Sequence, residues 1–117
     1  MVRNRKRRQT PGLHRCGEAG IAQAVVAHAY GVPMDELCAG TRRDAYTSFA
    51  RQVAMYLAHI TYGLTLDEVA NAFGRDRSTA SHACHRIEDL RDDPRLDERL
   101  TRLEGLLREA SQFDVSL

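Results

Sequence analysis

Residues 72–84 read AFGRDRSTASHAC, and residues 51–57 upstream read RQVAMYL. Gly74 suits the left-handed backbone that closes one helix, Asp76 suits the N-cap of the next, and Ser78 and Thr79 then fall on that helix's first turn. The pattern predicts a helix-turn-helix. In that motif the second helix lies in the DNA major groove and the side chains of its first turn reach the base edges. Arg75, Asp76, Arg77, Ser78 and Thr79 are the residue types that such contacts use.

Working upstream, Thr65 and Glu68 stand at the spacing of a capping box, so a helix starts there with Leu66, Val69, Ala70 and Phe73 facing inward. Ahead of it, Tyr46 to Tyr62 is the longest apolar-periodic segment, with Phe49, Val53, Ala54, Tyr56, Leu57 and Ile60 as its buried stripe. It is read as the central core helix. A short helix begins at Pro33, carries Met34 and Leu37 and ends at Gly40. Before that, Ile21, Ala22, Val25, Val26 and Ala29 recur at helical spacing up to Gly31. Structure is expected to begin near Glu18.

Downstream, the recognition helix is expected over Arg77 to Asp92, burying Ala80, Ala83, Cys84, Ile87 and Leu90, and Pro94 separates it from a last helix. That helix carries Leu96, Leu100, Leu103, Leu107 and Ala110. The repeat is short for a dimerising coiled coil, so it reads as an intramolecular core stripe. Its polar face sets Asp97, Glu98, Glu104 and Glu109 beside Arg95, Arg99, Arg102 and Arg108, as on a solvated surface. Met34 and Met55 read as core filling. The fold class is therefore all-α, a compact multi-helix domain over residues 17–113 with a central helix-turn-helix.

The chain has 117 residues, 43% of them hydrophobic, and no Trp, enough for one core and too few for two domains. Net charge is only +1, but its distribution is uneven. Arg3, Arg5, Lys6, Arg7, Arg8 and Arg15 precede the first acidic residue, whereas residues 88–109 mix both signs with a slight acidic excess. One DNA-facing side fits that asymmetry. Residues 1–16 contain little apolar material and are expected to form a disordered basic arm. Cys16, Cys38 and Cys84 are odd in number and widely spaced, which implies no disulfide framework and suits the cytoplasm. No apolar run approaches membrane-spanning length, and the basic start lacks the hydrophobic segment of a secretory signal.

The two opening segments also resemble a known family signature, that of the C-terminal DNA-binding domain of the bacterial chromosomal replication initiator DnaA. There the signature runs roughly RQ-x-A-M-Y-L, then a short amphipathic helix ending in FGGRDHTTV-x-HA, and the likeness extends from about Ile21 to about Leu107. The resemblance implies a Trp repressor-like, DnaA C-terminal type of fold. It also implies DNA contacts residue by residue: Arg43 in the minor groove, Arg42 on phosphate, Arg51 and Gln52 on phosphates or nearby base edges, Asp76 on a base, and His82 approaching the duplex. Thr79 offers a methyl to thymine or a hydroxyl to phosphate. Ser78 stands in place of a family Thr and keeps the hydroxyl. Arg77 replaces the usual His, and arginine reads guanine O6 and N7 in bidentate fashion or takes a phosphate. The chain has one Gly where the family has two, which shortens the turn before the recognition helix by one residue.

His82, Cys84 and His85 raise the question of a metal or a nucleophile. His82 and His85 are placed on a different side of the helix from Cys84, no second Cys/His pair stands at ligand spacing, and a catalytic Cys needs an orienting base. No metal, cofactor or enzymatic activity is expected. Full-length initiators carry an ATPase module, yet these residues hold no G-x-x-x-x-G-K-[ST] phosphate loop, so no nucleotide is expected either. The sequence thus predicts a monomeric, cytoplasmic, nucleoid-associated protein that binds double-stranded DNA at DnaA-box-like sites and regulates transcription or replication initiation. The alternative is a protein-interaction module on the same scaffold, docking a replication or transcription partner.

Overall fold

The computed structural model describes residues 5–39 and 44–116, with side chains for 17–39 and 44–112. Six helices follow in order: α1 (Arg5–Tyr30), α2 (Met34–Cys38), α3 (Ala45–Tyr62), α4 (Leu66–Phe73), α5 (Arg77–Leu90) and α6 (Pro94–Ser116), with no strand among the described residues. The all-α class predicted from the sequence holds, and α4 and α5 form the helix-turn-helix.

Helix boundaries follow the local chemistry. The Asp44 carboxylate accepts from the Thr47 backbone N–H at 2.7 Å and starts α3. Gly63 closes that helix in the left-handed region. Thr65 and Glu68 complete both halves of the capping box on α4. Gly74 then takes φ +64°, a conformation that costs a residue with a Cβ about 1–2 kcal/mol. Three residues, Gly74 to Asp76, turn the chain from α4 into α5.

Packing centres on α3, where every residue from Val53 to Ala58 is buried. A helix is apolar all round only when neighbours cover it on all sides, and here α1, α4, α5 and α6 do so. Leu37, Met55, Leu57, Leu64, Ile87, Leu100 and Leu107 are among its largest fully buried side chains. Leu100, Leu103 and Leu107 of α6 are core residues and Leu96 packs partly buried against them, as the stripe predicts, with α1 and α3 as the facing helices. The Tyr62 hydroxyl donates to the Leu107 carbonyl at 2.6 Å and pins α6 to the end of α3.

Four expectations need correction. Ile60, Leu90 and Met34 are about 40% exposed rather than buried. Each stands at or near a helix end, where periodicity continues but the covering neighbour does not. The backbone of α1 begins at Arg5, ahead of Glu18. Apolar periodicity marks only the buried part of a helix, and among the described side chains, which start at Gly17, the core-facing ones begin at Ala19.

The polar face of α6 is also more than solvated surface. Arg99 donates to the Ala29 carbonyl at 2.7 Å, and its guanidinium lies 4.1 Å from the Tyr30 ring centroid. Glu104 accepts from Arg91 at 2.8 Å. The exposed pair Arg102–Glu98 fits the solvated reading, whereas Arg108 reaches the partly buried Glu104 at 4.0 Å.

Candidate nucleic-acid interface

α5 buries Ala80, Ala83 and Ile87 against the core, and that register turns its first-turn side chains outward. Asp76, Arg77, Ser78, Thr79 and His82 are all exposed. The first turn of α5 contains no acidic residue. Its unsatisfied N–H groups and the positive end of its dipole therefore make a surface that attracts anions.

Across from it, α3 supplies Ser48, Arg51, Gln52 and Met55. These face Arg75, Ser78, Thr79 and His82 over an open groove of roughly 510 Å³. Six of the ten residues expected at the interface line this one groove: Arg51, Gln52, Arg75, Ser78, Thr79 and His82. Asp76, at the N-cap, and Arg77, on the first turn, are exposed. Arg42 and Arg43 lie outside the described residues. Ser48 and Met55 also line the groove though neither was expected there, and the signal was available, because Ser48, Arg51, Gln52 and Met55 follow helical spacing on one face.

Arg51 is the main correction. Expected on phosphates or nearby base edges, it is only 5% exposed. Its Nε donates to the Leu37 carbonyl at 2.7 Å and its Nη2 to the Glu36 carbonyl at 3.0 Å. Arg75 makes a parallel contact, with Nη2 donating to the Ala39 carbonyl at 2.6 Å. Two guanidinium groups thus hold the negative end of the short helix α2, where cations are favoured and the last carbonyls need partners. Both still border the groove, and their charge contributes to its field.

Gln52 is oriented rather than loose. Its Oε1 accepts from Arg86 Nη1 at 2.5 Å, while the Arg86 guanidinium sits 5.6 Å from the Phe49 ring centroid. With its oxygen so engaged, the amide has N–H donors to offer, as a phosphate or a purine N7 requires.

The Asp76 carboxylate makes no side-chain cap bond, although the residue occupies the N-cap position and its backbone carbonyl accepts from Thr79 and Ala80. Capping therefore does not account for the aspartate.

The far end of α5 is anchored by a polar network. The Tyr56 hydroxyl donates to Glu88 at 2.6 Å. Arg91 donates to Tyr56 at 3.1 Å, Glu104 at 2.8 Å, Asp97 at 2.7 Å and Thr101 at 3.1 Å. Burial and the bond to Glu88 push Tyr56 up to about 12. Burial alone would lower Arg91, but its bonds to Tyr56, Glu104 and Asp97 outweigh that and raise it. Arg91 thus remains charged at any ordinary pH and fixes where the recognition helix ends.

His82 borders the groove, while His85 shares a shallow pocket on another side of α5 with Cys84, His59 and Glu88. This corrects the expectation that both histidines face away from Cys84. Successive helix positions are about 100° apart, near enough to border one pocket. Burial pushes Cys84 up to about 11, so little thiolate exists at neutral pH, and thiolate is the reactive form. Among the described residues no group of three His, Cys, Asp or Glu is placed to hold a metal ion, and no helix is long and apolar enough to cross a membrane.

Comparison with known proteins places this geometry. The family model described as the bacterial DnaA protein helix-turn-helix matches residues 21–87. The chromosomal replication initiator protein DnaA of Acinetobacter baumannii (strain ATCC 17978) is 40% identical over 88 residues, which are 74% of this chain and 19% of that protein. That of Anaplasma marginale (strain St. Maries) is 34% identical over 97 residues, 81% of this chain and 20% of that protein. The chain thus spans about a fifth of the length of these curated relatives. The crystal structure of a DNA replication initiation factor superposes with a TM-score of 0.70 at 26% identity, covering 88% of this chain and 30% of that one.

Proposed function

The chain belongs to the bacterial DnaA helix-turn-helix family, and we propose that it binds double-stranded DNA sequence-specifically, with α5 in the major groove. The observation that carries this reading is the outward N-cap and first turn of α5, from Asp76 to Thr79, set beside the oriented amide of Gln52 across one groove. Asp76, Arg77, Ser78 and Thr79 would contact base edges and the adjoining backbone. Gln52 and His82 would contact phosphates or nearby bases, and Arg51 and Arg75 would act from behind through their charge. Arg42 and Arg43, on the segment between α2 and α3, would serve phosphate and the minor groove, and the basic residues at 3–15 would add phosphate contacts.

The sites resemble DnaA boxes, and the relatives' name as replication initiators supports a role in regulating replication initiation or transcription. The domain would act as a monomer, on the nucleoid in the cytoplasm. A protein-docking role would call for an apolar patch at the groove. Among the described residues, the exposed large hydrophobics Met34, Tyr46, Ile60, Leu90 and Leu106 instead stand on four different helices and none borders it.

Selection of bound duplexes from a random DNA pool tests the reading. An enriched motif is expected, with affinity for it falling steeply as salt rises. A pool that returns no motif, with no salt-dependent shift on any duplex, would overturn it.

Asp76→Asn is the first variant to make. Because the carboxylate caps nothing and Asn is itself a good N-cap, stability should move by no more than about 0.5 kcal/mol. Affinity for the selected site should fall with a discrimination loss of about 1–3 kcal/mol at the base that Asp76 reads. Unchanged affinity and preference would leave Asp76 without a role in readout.

A further inference from the structure

Arg77 stands at the first position of α5, where the helix's own field repels a cation. No acidic residue in that turn relieves the repulsion. The charge that does so comes from the other helix of the motif: Asp67 Oδ1 lies 3.4 Å from Arg77 Nε. Asp67 is in the first turn of α4, where a carboxylate is favoured by that helix's positive end. The structure gives Asp67 no part in the α4 cap, which Thr65 and Glu68 complete between them. Its side chain is 75% exposed and that of Arg77 66%. Pairs so exposed add little to stability and open easily.

We propose that Asp67 is an affinity-setting residue: it holds the Arg77 guanidinium in the free protein and competes with DNA for it. The inference rests on the DNA-binding reading above. A duplex engages Arg77 only by displacing a carboxylate that also repels the approaching phosphates. The same arginine that carries a permanent charge in place of a family histidine is therefore restrained by a neighbouring acid, and binding strength reflects both.

A double-mutant cycle tests this on the duplex recovered by selection and on a random duplex, with wild type, Asp67→Asn, Arg77→Ala and the double variant. Thermal unfolding of each variant checks that all remain folded. Asp67→Asn should tighten binding to the selected duplex about two- to fivefold, the range expected for releasing one exposed ion pair. In the Arg77→Ala background the same change should have little effect. Equal tightening in both backgrounds would show that Asp67 acts only through its general field and would overturn the proposal, as would no tightening in either. Wild type that prefers the selected duplex while the cycle is additive would defeat this inference alone. Wild type that binds neither duplex would defeat the DNA-binding reading and this one with it.

Discussion

Replacing Arg51 by alanine is expected to lower stability by about 3 kcal/mol and to weaken DNA binding evenly across sequences, with no change in preference. Arg51 is 5% exposed and its guanidinium bonds two carbonyls of α2, those of Glu36 and Leu37. A hydrogen bond from a charged donor contributes about 1.5–3 kcal/mol, and two made by one group add up to less than their sum. Alanine would leave the Leu37 carbonyl without its side-chain donor, while the Glu36 carbonyl would keep only the Ala39 N–H at 3.2 Å. A helix of five residues cannot persist by itself, so the α2–α3 junction would loosen, and with it the groove wall that Arg75 holds from the opposite side through Ala39. Urea unfolding measures the effect as a lower midpoint at constant slope. Arg51→Lys should recover part of the loss, since an ammonium reaches one carbonyl but lacks the fork that spans two. An unchanged midpoint with a shallower salt dependence of DNA binding would instead make Arg51 a phosphate contact and remove its tethering role.

That arginine also marks the limit of what the chain reveals before it is folded. Signals that act within one turn were legible: the Thr65–Glu68 capping box, Gly74 at the close of α4 and the core stripe of α6 all depend on residues a few positions apart. Tethers that span the chain were not. Arg51 reaches back 14 residues to Leu37, Arg75 reaches 36 to Ala39, and Arg99 reaches 70 to Ala29. An arginine at such a position looks identical in sequence whether it meets water, a phosphate or a carbonyl, because only the packed neighbours decide. The same holds for Arg91, whose partners on α3 and α6 meet only after the core has closed. Periodicity failed in the complementary way at Met34, Ile60 and Leu90, where an apolar position persists past the reach of the covering helix. At the candidate site the residue types were legible on the first turn of α5 and on the α3 face. Which of them are exposed enough to read a base was not.

Arg77→His is expected to change which base pair is preferred at one position of the site, with little loss of stability. Arg77 is exposed on the first turn of α5 and buries nothing, so the fold does not depend on its length. Its fork can span guanine O6 and N7, a contact that discriminates by about 1–3 kcal/mol, or about 5- to 150-fold, against the wrong pair. Histidine presents one donor at neutral pH and cannot make that bidentate contact. Selection with wild type should therefore return a G·C pair where this residue reads, and selection with the variant should relax or replace it, in the direction of the box used by family members with His. Asp67 sharpens the expectation, because a neutral imidazole does not need the carboxylate that restrains the guanidinium. Asp67→Asn should consequently matter less in the Arg77→His background than in wild type. If Arg77→His instead weakened binding equally on every duplex and left the selected motif unaltered, Arg77 would be a backbone anchor. The base reading of α5 would then fall to Asp76, Ser78 and Thr79 alone.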